Sequence, residues 1–168
     1  WYAYLVRHHT TTSLTPDDVY ELGLKEVARI RAEMERVKNQ LGHGGDLRSF
    51  FDALRADPTL YYTDPAELLA GYQSIQARVD AAMPLLFART PKAKFEIRPF
   101  EEFRAVSEAA GAYAPASADG KRPGVFYVNT HDLPSRPKYA MEALYLHEAI
   151  PGHHYQGSIA QEATDMPR

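Results

Sequence analysis

Residues 147–154 read His-Glu-Ala-Ile-Pro-Gly-His-His, and they close a helix-forming stretch that begins after Ser135-Arg136-Pro137. Pro151 has no N–H to donate to the carbonyl of His147, and its ring pushes against the same turn. The segment therefore predicts a helix that kinks or bulges at Pro151. This helix has enough apolar surface to be buried, which is supplied by Tyr139, Leu144, Leu146 and Ile150.

The histidines at the two ends of this segment cannot meet on a straight helix. His147 and His153 are six residues apart, which leaves them roughly 120° apart at 3.6 residues per turn. His154 shares a face with His147, but about 10 Å along the axis would separate them, too far for one metal with bonds near 2 Å. Gly152 adds backbone freedom beside Pro151, so an opened turn would loop out two residues and bring His153 back beside His147.

This mixture of imidazoles and a carboxylate is what a zinc-dependent hydrolase needs. Zinc lowers the pKa of a bound water and polarises the scissile carbonyl, while Glu148 would take the proton and later deliver it to the leaving amine. The chain has no cysteine, so histidines and carboxylates are the only candidate ligands. A catalytic zinc has three protein ligands, and a further carboxylate is required. Glu162 is one candidate, although its position favours a solvated helix face.

The rest of the chain predicts an α+β fold that is predominantly α-helical with a small β component. Thr15-Pro16-Asp17-Asp18 combines an N-cap, a proline at the first helical position and two acids, which predicts a helix from there to Leu41 with one buried apolar face. A second helix is expected from Asp46 to Arg55. A third is expected from Asp64 to Met83, where Pro84 should end it.

Two strands are expected in the second half. Residues 94–98 alternate apolar and charged side chains, residues 101–112 favour a helix, and residues 113–123 have the composition of a surface loop. Residues 124–130 are rich in β-branched and aromatic side chains and form the best strand. This strand has two interpretations: an edge strand that pairs with an extended peptide substrate, with Tyr127 and Asn129 presenting polar groups to it, or a packed core strand.

The composition limits which classes of protein are possible. The chain has 168 residues, of which 45% are hydrophobic and 24% charged, as expected for a single helix-rich domain over residues 1–168 or a fragment of a larger one. It begins at Trp1 rather than Met, which favours a fragment and leaves export or a cytoplasmic location open. A net charge of −3 without a basic stripe argues against nucleic acid as a partner. No run of 18 apolar residues predicts a membrane span.

The motif at 147–154, with Phe126-Tyr127-Val128-Asn129-Thr130 some twenty residues before it, resembles the bacterial DUF885 proteins. The resemblance covers most of the chain and implies a mostly helical, zincin-like metallopeptidase whose motif helix is kinked at Pro151. It implies that His147 and His153 are zinc ligands and that Glu148 is the catalytic base. The family's third ligand is expected to be a glutamate in a Glu-Gly-Trp-Ala type motif. This sequence has no such motif, so the ligand is expected beyond Arg168, and the fragment alone would have an incomplete site and little zinc.

The preferred function is therefore zinc-dependent hydrolysis of a peptide substrate, with Zn²⁺ as the expected cofactor. His154 is expected to be a substrate contact or a residue that supports the ligands. Hydrolysis of another amide or ester is an alternative, because zinc and a carboxylate do not specify the acyl group. A non-catalytic helical domain is another, in which the histidines only complement the dipole at a helix C-terminus. Oligomeric state, native metal and cleavage preference stay open.

Overall fold

The computed structural model describes residues 1–163. Contacts between Cα atoms divide the chain into two units, residues 1–56 and residues 57 onward. Helices dominate, and a small three-stranded sheet lies in the second unit. The predicted α+β, predominantly helical fold is confirmed. None of the helices within residues 1–163 is long and apolar enough to cross a membrane.

The first unit contains three helices, α1 (Tyr2–Thr10), α2 (Pro16–Gln40) and α3 (Leu47–Ala56). The predicted start of α2 is confirmed, because Thr15 and Asp18 cap it reciprocally. The Asp18 N–H donates to the Thr15 hydroxyl at 3.1 Å, and the Thr15 N–H donates to the Asp18 carboxylate at 2.9 Å. Sequence analysis missed α1, which has no side-chain cap hydrogen bond at its start.

The apolar face of α2 was expected to be buried, and in this unit it is largely exposed. Its side chains are between 41% and 66% exposed at Leu22, Val27, Ile30, Met34, Val37 and Leu41. The 10-residue α3 is much shorter than the 25-residue α2, so it covers only part of that face.

Within residues 57–163 the second unit contains four α-helices and three strands. They follow one another as α4 (Pro65–Leu86), β1 (Phe95–Pro99), α5 (Glu102–Ala105), β2 (Gly111–Ala114), β3 (Gly124–Val128), α6 (Lys138–Glu148) and α7 (His153–Glu162). Helix α4 was expected to end at Met83, but it continues through Pro84 to Leu86. Pro84 removes only the bond to the carbonyl of Asp80, an exposed residue, and the Phe87 N–H closes the turn on the Met83 carbonyl at 3.0 Å.

The sheet has the order β1-β3-β2, in which β1 is parallel and β2 antiparallel to β3. Residues 101–112 were expected to be helical, but only the four residues of α5 are, and Gly111 already belongs to β2. Residues 111–114 form a strand instead of a helix because they pair with β3, where Tyr113 lies opposite Phe126. A Cβ at Gly111 would lie 2.7 Å from the Phe126 ring, so the close approach of the two strands requires glycine there.

The core of the second unit lies between the sheet and the helices α4 and α6. Phe126 and Tyr145 are completely buried, and the Tyr72 ring packs edge-on against Phe126 with 5.2 Å between ring centroids. These three side chains come from β3, α6 and α4. The core thus fixes α6, whose last residues are His147 and Glu148, against the middle of the sheet.

Candidate metal centre

The helix predicted to kink at Pro151 is interrupted there by four non-helical residues. Helix α6 ends at Glu148, α7 begins at His153, and the Ile150-Pro151 peptide bond between them is cis. The carbonyl of Ala149 accepts hydrogen bonds from the N–H groups of His154 at 3.1 Å and Tyr155 at 3.4 Å. These bonds satisfy donors in the first turn of α7 that would otherwise lack a partner.

Gly152 lets the new helix start directly against the end of the old one. A Cβ at this position would lie 1.8 Å from the carbonyl oxygen of His147 and 2.4 Å from that of Leu146. Both contacts are with backbone, which cannot rotate away as a side chain does. The approach of α7 to α6 therefore depends on the absence of a side chain at Gly152.

The break brings His147, Glu148 and His153 together, as the opened-turn argument predicted. A candidate ligand atom of each residue lies within 4.8 Å of the other two. The rings of His147 and His153 meet edge-on, with 4.8 Å between their centroids. Both histidines are exposed and Glu148 is half-buried. Among residues 1–163, none of the three side chains makes a hydrogen bond or an ion pair within the chain, so all are available to a ligand.

The donor set fits a zinc ion. Two nitrogens bound tetrahedrally at about 2.05 Å lie about 3.3 Å apart, so small side-chain rotations would suffice to bring these groups around one ion. Glu162 does not join the cluster: it is the last residue of α7, and its carboxylate accepts a hydrogen bond from the Lys92 N–H at 2.6 Å. Within the described part of the chain, the only carboxylate in this cluster is that of Glu148.

His154 points into the second unit, away from the cluster. It is 2% exposed, its Nδ1 lies 2.9 Å from the Tyr113 hydroxyl, and its ring packs against Phe95 with 4.8 Å between centroids. Burial lowers its pKa, which favours the neutral imidazole. The His154 ring also lines a cavity together with Phe95, Ile150 and Tyr155, and the expectation of a substrate contact stays a prediction. The alternative expectation, a residue that supports the ligands, stays open.

Strand β3 is the central strand of the sheet, so the interpretation of residues 124–130 as an edge strand is wrong. A central strand already uses its hydrogen-bonding groups on both sides. Tyr127 is half-buried and stacks on Phe100, with 5.3 Å between ring centroids and the Arg104 guanidinium nearby. Its role toward a substrate stays a prediction.

Asn129 is completely buried, and its amide holds the loop before β2. Its amide nitrogen donates to the carbonyls of Ala105, Glu108 and Ala109 at 2.8 to 3.0 Å, and its oxygen accepts from the His131 N–H at 2.9 Å. The expectation that Asn129 presents a polar group to a substrate is therefore corrected, because those polar atoms are already occupied.

Replacing Asn129 by alanine should destabilise the second unit by about 2–4 kcal/mol, because the buried carbonyl of Ala105 and the half-buried carbonyls of Glu108 and Ala109 lose their donor. The measurement is equilibrium unfolding in urea, followed by circular dichroism. Asn39→Ala, at an exposed position on α2, is the control and should change the free energy of unfolding by less than about 0.5 kcal/mol. Wild-type stability of Asn129→Ala would contradict the structural role.

Sequence analysis missed Tyr113, which lines a cavity with His153, and Gly124, which lies against Tyr113 and His154. Tyr113 was assigned to a loop, since a four-residue strand leaves too short a pattern to detect. It lines a cavity of about 370 Å³ together with Pro115, His153, Gln156, Gly157 and Gln161. Gly124 was treated only as the first residue of a strand. Its close contacts with other side chains cannot be recognised from the residues next to it in the sequence.

Comparison with known proteins identifies the family. The family described as "Bacterial protein of unknown function (DUF885)" matches residues 1–168. No curated protein matches. Among solved structures, the chain is similar to one described as "the putative lipoprotein from Colwellia psychrerythraea", with 30% sequence identity and a TM-score of 0.85. The similarity covers 96% of this chain and 28% of that one, so this chain spans just over a quarter of the relative's length. Because the family match extends over the whole sequence, the chain belongs to the DUF885 family of bacterial proteins.

Proposed function

We propose that the protein containing this chain is a zinc-dependent hydrolase of peptide bonds. One observation carries the proposal: the interruption between α6 and α7 brings candidate ligand atoms of His147, Glu148 and His153 within 4.8 Å of one another, although the two histidines are six positions apart in the sequence. The cluster combines two imidazole rings with a carboxylate that has no other partner among the described residues. These residues would supply two of the three protein ligands that a catalytic zinc needs, together with its base.

In this proposal each of the three side chains has one task. His147 and His153 hold the metal through their ring nitrogens. Zinc, when bound, supplies Lewis acidity, which activates water and polarises a carbonyl. Glu148 accepts the proton of the attacking water and returns it to the leaving amine. A third protein ligand is required, and we propose a carboxylate from outside residues 1–163.

The substrate would lie along β2 rather than along β3. Strand β2 is an outer strand of the described sheet and pairs with β3 on one side, so its other edge offers backbone groups to an extended peptide. The cavity of about 370 Å³ beside His153 is lined by Tyr113 of β2 and by Pro115, which follows it. An extended peptide on this edge would run past the exposed His153, which is why a peptide is the substrate class proposed.

Metal content tests the proposal first. The full-length gene product, purified without added zinc, should carry about one zinc per chain by elemental analysis. The double variant His147→Ala, His153→Ala should carry almost none, because both nitrogen ligands are lost. The control is the double variant His8→Ala, His9→Ala, which removes two exposed histidines of α1 and should retain the metal.

Activity is then measured on a library of quenched fluorescent peptides. A chelator should stop hydrolysis and added zinc should restore it. Absence of a bound metal in the wild-type protein would contradict the proposal and favour a structural role for the histidines. Bound zinc with intact peptides but cleavage of an ester or another amide would overturn the substrate class alone.

A further inference from the structure

We propose that Tyr113, His154 and Gly124 act as a positioning device that sets His153 beside His147. The inference rests on the proposed function, in which His147 and His153 hold the metal. His154 itself does not touch the metal in this proposal. It acts through the backbone of α7, in which it is the neighbour of His153.

The first observation is that no side-chain hydrogen bond orients His153 among the described residues. The aromatic ring that packs against it is that of His147. Helix α7 begins without a side-chain cap at Gly152. The position of His153 is therefore set by how the first turn of α7 is attached to the rest of the unit.

The second observation is that His154 attaches this first turn to the sheet. Its ring is packed against Phe95 of β1, and its Nδ1 is hydrogen-bonded to the hydroxyl of Tyr113 on β2. Ser158, one turn further along α7, is also buried, at 3% exposure. Successive residues of a helix point about 100° apart. Burying His154 and Ser158 thus turns His153 outward, where it meets His147.

The third observation is that Gly124 makes room for this attachment. A Cβ at Gly124 would lie 2.5 Å from the Tyr113 hydroxyl and 2.6 Å from Nδ1 of His154. The hydrogen bond therefore lies directly over the backbone of the first residue of β3. The Tyr113–His154 contact therefore connects β2, β3 and α7 with no spare space between them. Small changes in this contact are expected to displace α7.

The experiment measures metal affinity without substrate, because Tyr113 also lines the proposed substrate cavity. Zinc binding to the full-length protein is followed by competition with a chromophoric chelator, and cobalt is substituted to record its visible absorption spectrum. Tyr113→Phe removes one hydroxyl and should weaken zinc binding by about 10-fold or more, the range seen when residues supporting metal ligands are lost. It should also change the cobalt spectrum, while the melting temperature of the metal-free protein changes little.

A matched control lies on the same helix. Tyr155→Phe also removes a tyrosine hydroxyl, one that donates to the carbonyl of Arg89, and it should change zinc affinity less than about 3-fold. His154→Asn keeps a polar atom near the position of Nδ1 and should retain more affinity than His154→Leu. If a His154 variant fails to fold, the zinc affinity of Tyr113→Phe alone tests the positioning role.

The outcomes separate this inference from the proposed function. Normal zinc affinity and an unchanged cobalt spectrum in Tyr113→Phe, in a protein that binds zinc and cleaves peptides, would overturn the positioning role and leave the function intact. An equal loss of affinity in Tyr155→Phe would also overturn it, since any weakening of the attachment of α7 would then suffice. A wild-type protein without metal affinity would overturn both.

Discussion

Gly152→Ala is expected to reduce zinc affinity by at least about 100-fold. The new Cβ would lie 1.8 Å from the carbonyl oxygen of His147, whereas such atoms need more than 3 Å. Because the obstacle is the backbone of α6, whose core residue Tyr145 is completely buried, the first turn of α7 must move instead. This displaces His153 from His147, and the loss of one well-placed ligand weakens metal binding severely.

Zinc affinity of Gly152→Ala is measured by chelator competition, alongside thermal unfolding of the metal-free protein. The matched control is Gly23→Ala in the interior of α2, where a Cβ would meet nothing within 4 Å. That change should leave zinc affinity unaltered and stabilise the helix by about 0.5–1 kcal/mol. Wild-type zinc affinity in a folded Gly152→Ala protein would contradict the account of how α7 is placed.

Glu148→Gln is expected to lower the rate of peptide hydrolysis by a factor of about 10²–10⁴ while zinc stays bound. The amide has nearly the same shape as the carboxylate but cannot accept the proton of the attacking water. His147 and His153 are unchanged, so the metal should remain. The measurement is kcat of the zinc-loaded protein, with zinc content determined on the same sample.

The control for this variant is Glu142→Gln, earlier on α6, where the carboxylate pairs with Arg78 at the surface. It should hydrolyse peptides at the wild-type rate, since exposed ion pairs contribute little. Unchanged hydrolysis in Glu148→Gln would remove Glu148 as the base. Loss of both zinc and hydrolysis would instead make Glu148 a metal ligand.

Local signals in the sequence predicted where the two longest helices begin. The starts of α2 and α4 follow from Thr15-Pro16 and Asp64-Pro65, because a cap and a proline act within the first turn. The interruption after Glu148 follows from Pro151 together with Gly152, because the proline lacks an N–H and the glycine adds backbone freedom. The grouping of His147 with His153 follows from that interruption together with the geometry of a straight helix.

Structural features that depend on contacts between distant residues could not be predicted in this way. Strand β2 is only four residues long and exists because it pairs with β3. The central position of β3 depends on β1 and β2 lying on either side of it. Asn129, expected at a substrate, is instead buried because carbonyls more than 20 residues earlier in the sequence surround its amide.

The sequence by itself thus determined the helix-rich class, the interruption at Pro151 and the three candidate residues of the metal centre. Each of these rests on interactions within a few residues, which the order of amino acids specifies directly. Only the tertiary structure shows what holds His153 outward. His154 turns inward because Tyr113, 41 residues away, and Phe95 enclose it, and this contact between distant strands leaves His153 at the surface beside His147.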